Sequence, residues 1–160
     1  MVINEEYFTI ELASQITLGF SLNDMSTVAQ FETQTVCSVP GVPDFWYGVV
    51  NFKGSLLWIL DSDRFFNLDK KHQKQPAKLT VVVVKNKLSS GNKQVAVTVG
   101  QLKGIASINP ASFSPPSPEI SSQLRQSCST AARVDEQTIN IIDSEALLQR
   151  LSQESTLISA

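Results

Sequence analysis

The stretch that decides the fold runs from residue 39 to residue 61 and reads VPGVPDFWYGVVNFKGSLLWILD. The two prolines near its start fix their own φ angles and push the residues before them into extended geometry. Two apolar, aromatic-rich runs follow, and Lys53-Gly54 separates them. Because Gly54 accepts the positive φ that a tight hairpin turn needs, this pattern predicts a β-hairpin with its tip at Lys53-Gly54. Both strands are apolar on both faces, so we expect both faces to be covered.

The size and composition of the chain are those of a globular protein. It has 160 residues, of which 42% are hydrophobic and 18% are charged. That length predicts one domain, or two small lobes that share a core. The net charge is −2, but residues 64–103 hold nine Lys or Arg and one acid, between two acidic segments. Lysines that protect the edges of strands explain such a segment more simply than a dedicated charged surface does.

The sequence carries no sign of secretion or of a membrane span. Residues 1–12 lack the basic and apolar regions of a signal peptide, and the apolar runs are too short to cross a bilayer. Cys37 and Cys128 are the two cysteines and lie far apart in the sequence, which favours free, buried or half-buried thiols in a reducing compartment. We therefore expect a cytoplasmic protein without direct membrane insertion.

Short apolar segments with turn signals about every ten residues predict a mainly β, barrel-like protein. Residues 1–12 are predicted to form a loose arm or a short helix. Asp61 is predicted to cap a short helix over residues 61–68, and Asp143 a C-terminal helix over residues 145–151. Besides the two strands of the hairpin, we expect strands at residues 15–20, 25–31, 79–84, 94–100, 102–108, 128–134 and 138–142.

Two hairpins in the chain share one order of features: strand, polar tip, strand, Asp and helix. The first ends at Asp61, and the second, over residues 130–143, ends at Asp143. This internal similarity suggests two similar barrels.

No residue pattern points to catalysis or to a bound metal or other cofactor. His72 is the only histidine and lies in a stretch rich in Lys and Gln, where a solvated role is far commoner than that of a catalytic base. With one histidine and no cluster of cysteines, a zinc site is not expected. The acids in Asp61-Ser62-Asp63 are interpreted as a helix cap and a first-turn acid, not as metal ligands.

The basic segment from Lys70 to Lys103 leaves one alternative function open. Small β-barrels bind nucleic acid when aromatic side chains stack on bases among basic residues. No Phe, Tyr or Trp occurs between residues 67 and 112, which covers nearly all of this segment. A small nucleic-acid-binding barrel is therefore the less favoured interpretation.

Residues 39–61 resemble the signature of CheW-like domains, in which a Pro-Gly-x-Pro turn leads to a strand, an Asn-Leu-Arg-Gly tip and a second strand that ends in Asp. The similarity continues more weakly over nearly the whole chain, including residues 109–118 and 134–148. It implies two packed five-stranded SH3-like barrels with short helices, one of them C-terminal. The barrels would be intertwined lobes of a single CheW-like domain over residues 1–160.

The resemblance also implies a non-enzymatic adaptor. Such proteins couple a methyl-accepting-type receptor to the regulatory domain of a CheA-type sensor histidine kinase, in chemotaxis, phototaxis or pilus-based motility. One face takes the cytoplasmic helical tip of a chemoreceptor or photoreceptor, which recruits the adaptor to membrane-associated receptor arrays. In this sequence Lys53 stands where the family usually has Arg, which keeps the positive charge but loses the planar fork.

Eight residues of the hairpin region are candidates for partner binding. Lys53 is the strongest single candidate, because a charged hairpin tip is exposed. Ordinary burial in the core is the competing explanation for each apolar residue. The tip is expected to be formed by Asn51, Phe52, Lys53 and Gly54, and an apolar groove for a receptor helix bundle to be lined by Val39, Val49, Val50 and Leu56.

Overall fold

The computed structural model describes residues 3–68, 75–85 and 94–154. It confirms the predicted fold class, mainly β with two packed five-stranded sheets and short helices. His72 lies outside the described residues, as do residues 70–74 and 86–93 of the segment between Lys70 and Lys103. The strands are β1 Glu5–Glu11, β2 Thr17–Ser21, β3 Met25–Glu32, β4 Trp46–Phe52, β5 Ser55–Leu60, β6 Lys78–Lys85, β7 Gln94–Val99, β8 Gln101–Ile108, β9 Cys128–Val134 and β10 Gln137–Ile142; the helices are α1 Ser62–Phe65, α2 Ser122–Gln126 and α3 Ser144–Glu154.

The strands form two sheets, and the chain crosses twice from one sheet to the other. Sheet A has the order β8-β1-β2-β10-β9, and sheet B has the order β3-β6-β7-β5-β4. The chain begins with two strands of sheet A, builds all of sheet B and then returns to complete sheet A. Neighbouring strands are antiparallel, except for the parallel pairs β2–β10 and β5–β7.

The N-terminal segment differs from its prediction. Residues 1–12 were expected to form a loose arm or a short helix, and this expectation is wrong, because Glu5–Glu11 forms β1. This strand pairs with β2 on one side and with β8 on the other. Its side chains alternate between two cores: Tyr7 lies in the core of sheet A, and Ile10 lies in the core between the sheets.

The two sheets have the same strand topology, but the chain enters that topology at a different strand in each sheet. In chain order, β3, β4, β5, β6 and β7 correspond to β8, β9, β10, β1 and β2, with the same neighbours and the same parallel pair. In each sheet, a segment ahead of the hairpin bridges the first strand of the hairpin: Cys37 pairs with Val49, and Ser114 with Ala131. Sheet A is thus a circular permutation of sheet B, and the similarity of the two hairpins is confirmed.

Three apolar cores hold the sheets. Each sheet surrounds one core of its own, and a third, shared core lies between the sheets. Strand β6 shows how one strand serves two of them. Val81 and Val83 contribute to the core of sheet B, and Val82 and Val84 to the shared core. The central strands are apolar on both faces because both faces are covered.

Helices α1 and α3 follow the two hairpins and close the shared core. The Asp61 carboxylate accepts from the Arg64 backbone N–H at 3.3 Å, and the Asp143 carboxylate accepts from the Ala146 N–H at 3.1 Å. Both predicted caps are therefore confirmed. Arg150 of α3 donates to the Gln123 carbonyl at 2.6 Å, which ties α3 to α2.

Candidate partner-binding site

The tip of the β4–β5 hairpin is a rigid two-residue turn. Lys53 and Gly54 have φ values of 52° and 82°, as a turn with two left-handed residues requires. The Asn51 side-chain oxygen accepts from the Gly54 N–H at 3.2 Å, which ties the first strand to the turn. The predicted tip is thus where the sequence places it, and the Asn51 side chain holds its backbone.

The charge at the tip is exposed and rests on an aromatic ring. The Lys53 ammonium lies 5.2 Å from the centre of the Phe52 ring, within the range of a cation–π contact. Phe52 is half-buried and meets Phe31 edge to face at 5.8 Å, so its ring is anchored in sheet B. The contact with the packed Phe52 ring therefore limits the positions that the Lys53 ammonium can take.

The four apolar candidates differ in exposure. Leu56 is 72% exposed and lies directly opposite Asn51, beside the tip. Val39 and Val49 are half-buried. Val50 is 8% exposed and belongs to the core of sheet B, so it offers little surface to a groove. Side chains alternate along β4, and the inward position falls on Val50 and not on Val49.

A neighbouring segment closes part of the free edge of β4. The N–H groups of Cys37 and Val49 donate to each other's carbonyls at 2.8 and 2.9 Å. Gly48 allows this close approach, because a Cβ at this position would lie 2.1 Å from the Cys37 carbonyl oxygen. The exposed residues of the hairpin therefore lie at and beside the tip: Asn51, Lys53, Gly54, Ser55 and Leu56.

A second exposed apolar surface lies on the edge strand β8, and the sequence analysis missed it. Ile105 is 60% exposed and Leu102 is 42% exposed. Ile105 lies opposite Phe8, which in turn lies opposite the buried Phe20, so an apolar row leads from the shared core to the edge of sheet A. The strand pattern of residues 102–108 gave no signal for this exposure, because it depends on which strand ends the sheet.

Among the described residues, no three of His, Cys, Asp and Glu lie close enough together to hold a metal ion. Cys37 is exposed, against the expectation of a buried or half-buried thiol, and Cys128 is half-buried as expected. Burial raises the pKa of the Cys128 thiol to about 12, so this group stays protonated near neutral pH.

The helices of the described part are all too short or too polar to cross a membrane. The longest, α3, has 11 residues, and its apolar side chains Leu147, Leu148 and Leu151 pack into the shared core.

Comparison with known proteins bears on these surfaces. The sequence profile of the CheW-like domain matches residues 6–152. No curated protein sequence matches the chain. The crystal structure of the scaffolding protein TtCheW from Thermoanaerobacter tengcongensis is similar, with a TM-score of 0.72 and 19% sequence identity over 88% of this chain and 90% of that one. Proteins of the CheW family are scaffolds of chemotaxis signalling that couple receptors to CheA. The match covers most of the chain, which therefore belongs to the CheW-like domain family.

Proposed function

We propose that this protein is an adaptor that couples a methyl-accepting-type receptor to a CheA-type sensor histidine kinase in chemotaxis, phototaxis or pilus-based motility. The family role supports a scaffold that makes and breaks no bonds itself. Such a protein acts in the cytoplasm, at receptor arrays on the membrane. The observation that carries the proposal is the exposed Leu56 beside a rigid cationic tip.

An adaptor must be held by two partners at once, and two exposed apolar surfaces support this. The tip surface consists of Asn51, Phe52, Lys53, Gly54 and Leu56; Val39 and Val49 are half-buried. The edge surface consists of Leu102 and Ile105 on β8. The two surfaces belong to different sheets. We propose that one takes the helical tip of the receptor and the other takes the regulatory domain of the kinase.

Each surface suits a protein partner. An exposed leucine next to a fixed charge gives apolar contact area with a polar rim, as in the centre of many protein interfaces. The lysine adds orientation and a faster encounter with an acidic partner rather than much affinity. A receptor helix or a kinase barrel with a matching apolar spot and an acid would meet both features.

The experiment that tests the proposal reverses the charge at the tip. Lys53→Glu is expected to leave the fold intact, because the side chain is exposed. It should weaken the binding of one of the two partners about tenfold, because the reversed charge repels an acidic partner. Binding is measured by calorimetric titration with a soluble receptor tip fragment and with the isolated kinase regulatory domain.

The matched control is Arg125→Glu, which makes the same charge reversal at an exposed position on α2. It is expected to change neither affinity. Unchanged affinity of Lys53→Glu for both fragments would remove the tip from the binding surface. A similar test with Ile105→Ser assigns the edge surface to one partner or the other.

A further inference from the structure

A proline-rich segment, residues 114–118, connects strand β8 to helix α2. It reads Ser-Pro-Pro-Ser-Pro and contains the spacing Pro-x-x-Pro. We infer that this segment is a docking ridge for a partner protein whose binding groove is lined by aromatic side chains. The ridge contains none of the residues of the tip surface or the edge surface, so the inference goes beyond the proposed function.

Every residue of the ridge has a restricted backbone. Pro115, Pro116 and Pro118 have φ fixed near about −65° by their rings. Ser114, Pro115 and Ser117 each precede a proline, which disfavours helical geometry and favours an extended one. All five residues are among those that the structure describes, and none has a positive φ. These restrictions favour polyproline II, an extended helix with about three residues per turn.

The exposure of the ridge has the period of that helix. Pro115 and Pro118 are exposed, and the two residues between them are half-buried. Because three residues complete one turn, residues three positions apart lie on the same side of a polyproline II helix. The two exposed prolines therefore face solvent together, about 9 Å apart along the helix axis at about 3.1 Å per residue.

Hydrogen bonds hold the ridge at both ends. Ser114 exchanges two backbone hydrogen bonds of 2.8 Å with Ala131 of β9, and the Thr130 hydroxyl donates to the Ser114 carbonyl at 2.8 Å. At the other end, the Ile120 N–H donates to the Ser117 carbonyl at 3.4 Å. A segment that is already ordered loses little conformational entropy when a partner binds, which favours affinity.

The backbone between these ends has carbonyl groups that can accept hydrogen bonds from a partner. The carbonyls of Pro115 and Pro116 accept none from the described part of the chain. Tryptophan and tyrosine combine a flat apolar ring with an N–H or O–H donor. A groove lined by these residues can cover the proline rings and donate to the carbonyls, as SH3 and WW domains do when they bind Pro-x-x-Pro segments.

Another Pro-x-x-Pro, from Pro40 to Pro43, provides an internal comparison. Each of the two sequences follows a residue that bridges the first strand of a hairpin, Cys37 in one case and Ser114 in the other. Gly41 has a φ of 84°, which is incompatible with polyproline II. Of its two prolines, Pro40 is exposed and Pro43 is half-buried. The spacing alone therefore does not make a ridge, and Pro40 serves as a control.

The test uses the full chain, labelled with ¹⁵N, and an isolated WW domain that binds Pro-Pro-x-Pro peptides. We expect saturable shifts of the backbone signals of Ser117 and Glu119, the N–H groups within and beside the ridge. The matched probe is the same WW domain with its groove tryptophan replaced by alanine, which should not bind. Shifts that avoid these two residues, a lack of binding, or equal affinity of the two WW domains would overturn the inference.

Three variants locate the contact. Pro115→Ala and Pro118→Ala are each expected to lower the affinity for the WW domain at least about fivefold, because each removes one ring from the ridge. Pro40→Ala makes the same change at an exposed proline outside the ridge and should leave the affinity unchanged. An equal loss in Pro40→Ala would mean that the WW domain does not select the ridge, and the site would be rejected.

A peptide separates the sequence of the ridge from its presentation by the fold. The peptide acetyl-Ser-Phe-Ser-Pro-Pro-Ser-Pro-Glu-amide contains residues 112–119. The folded chain should bind the WW domain at least about threefold more tightly than this peptide, because its backbone is already ordered. Equal or tighter binding of the peptide would show that the fold does not present the segment, and the inference would fail. None of these results depends on whether Lys53→Glu affects receptor or kinase binding.

Discussion

The hairpins β4–β5 and β9–β10 have the same backbone and present different side chains. Each has a two-residue tip with positive φ at both positions, Lys53-Gly54 in one and Asp135-Glu136 in the other. Each also has a register shift before the tip, and each is followed by an Asp-capped helix. One tip is thus basic and the other is acidic on the same frame.

The residues next to the tips differ in the same sense. By their registers, Leu56 corresponds to Thr138, and Trp58 corresponds to Asn140. The face beside the first tip is apolar, and the face beside the second is polar with an unpaired amide oxygen. The comparison teaches that the plan fixes where a hairpin end is presented, while a few side chains decide what it can bind.

The largest expected effect is at Gly48. A Cβ there would meet the Cys37 carbonyl oxygen at 2.1 Å, and the φ of 145° is strained for other residues. Gly48→Ala should cost at least about 3 kcal/mol of unfolding free energy, or prevent folding, as measured by urea denaturation. In the second hairpin Thr130 takes the equivalent position, where its hydroxyl donates to the Ser114 carbonyl at 2.8 Å.

The control for this prediction is Gly41→Ala. Gly41 also has a positive φ of 84°, but no atom lies near its added Cβ. This variant should cost about 1–2 kcal/mol, the strain of a left-handed residue alone. Equal losses at the two glycines would show that the contact with Cys37 is not what requires Gly48.

The next effect concerns the two helix caps. Asp143→Ala should lower the unfolding free energy by about 1–2 kcal/mol, because it leaves the Ala146 N–H without its acceptor. Asp61→Ala should cost a similar amount but change the far-UV circular dichroism less, since α1 has 4 residues and α3 has 11. Asp143→Asn keeps the acceptor and should restore most of the loss. If Asn were as poor as Ala, the carboxylate charge and not the hydrogen bond would carry the cap.

Much of this frame could be predicted from the sequence, because it rests on local signals. Gly54 between two apolar runs fixed the tip, and Asp61 and Asp143 marked the helix starts by their capping chemistry. Each of these features depends on residues a few positions apart.

The features that were missed depend on distant partners. β1 is a strand because it lies between β2 and β8, and β8 follows about ninety residues later. Val49 and Val50 could not be told apart, because both faces of the hairpin are apolar in sequence and the register shift near Gly48 sets which one turns inward. The exposure of Ile105 follows from the end position of β8 in its sheet.

A smaller effect is the loss of unfolding free energy at high pH, when the Cys128 thiol ionises. Burial raises the pKa of Cys128 from 9.0 to about 12. The folded state thus disfavours the thiolate, and this contribution to stability is complete below pH 9 and is lost as the pH rises from 9 towards 12. At pH 10, we expect the wild type to have lost about 1 kcal/mol more, relative to pH 8, than Cys128→Ala does in urea denaturation.

Thiol reactivity gives an independent measurement of the same difference. The exposed Cys37 should react with a disulfide reagent at pH 8 much faster than Cys128, so that the wild type shows one fast and one slow thiol. Cys37→Ser should remove the fast phase only. Two fast phases in the native protein would contradict the burial of Cys128 on which the pH prediction rests.

The smallest change tests the comparison most directly, because it exchanges one equivalent side chain between the hairpins. Leu56→Thr gives the first hairpin the residue of the second, and Thr138→Leu does the reverse. Both positions are exposed, so each variant should keep the unfolding free energy within about 0.5 kcal/mol.

Leu56→Thr should lower the affinity for the partner that binds the tip surface about fivefold in calorimetric titration, because apolar contact area is lost. Thr138→Leu should leave that affinity unchanged. If Thr138→Leu instead created a second binding site for the same partner, the hairpin backbone and one exposed leucine would suffice for recognition. The charge of Lys53 would then not be needed.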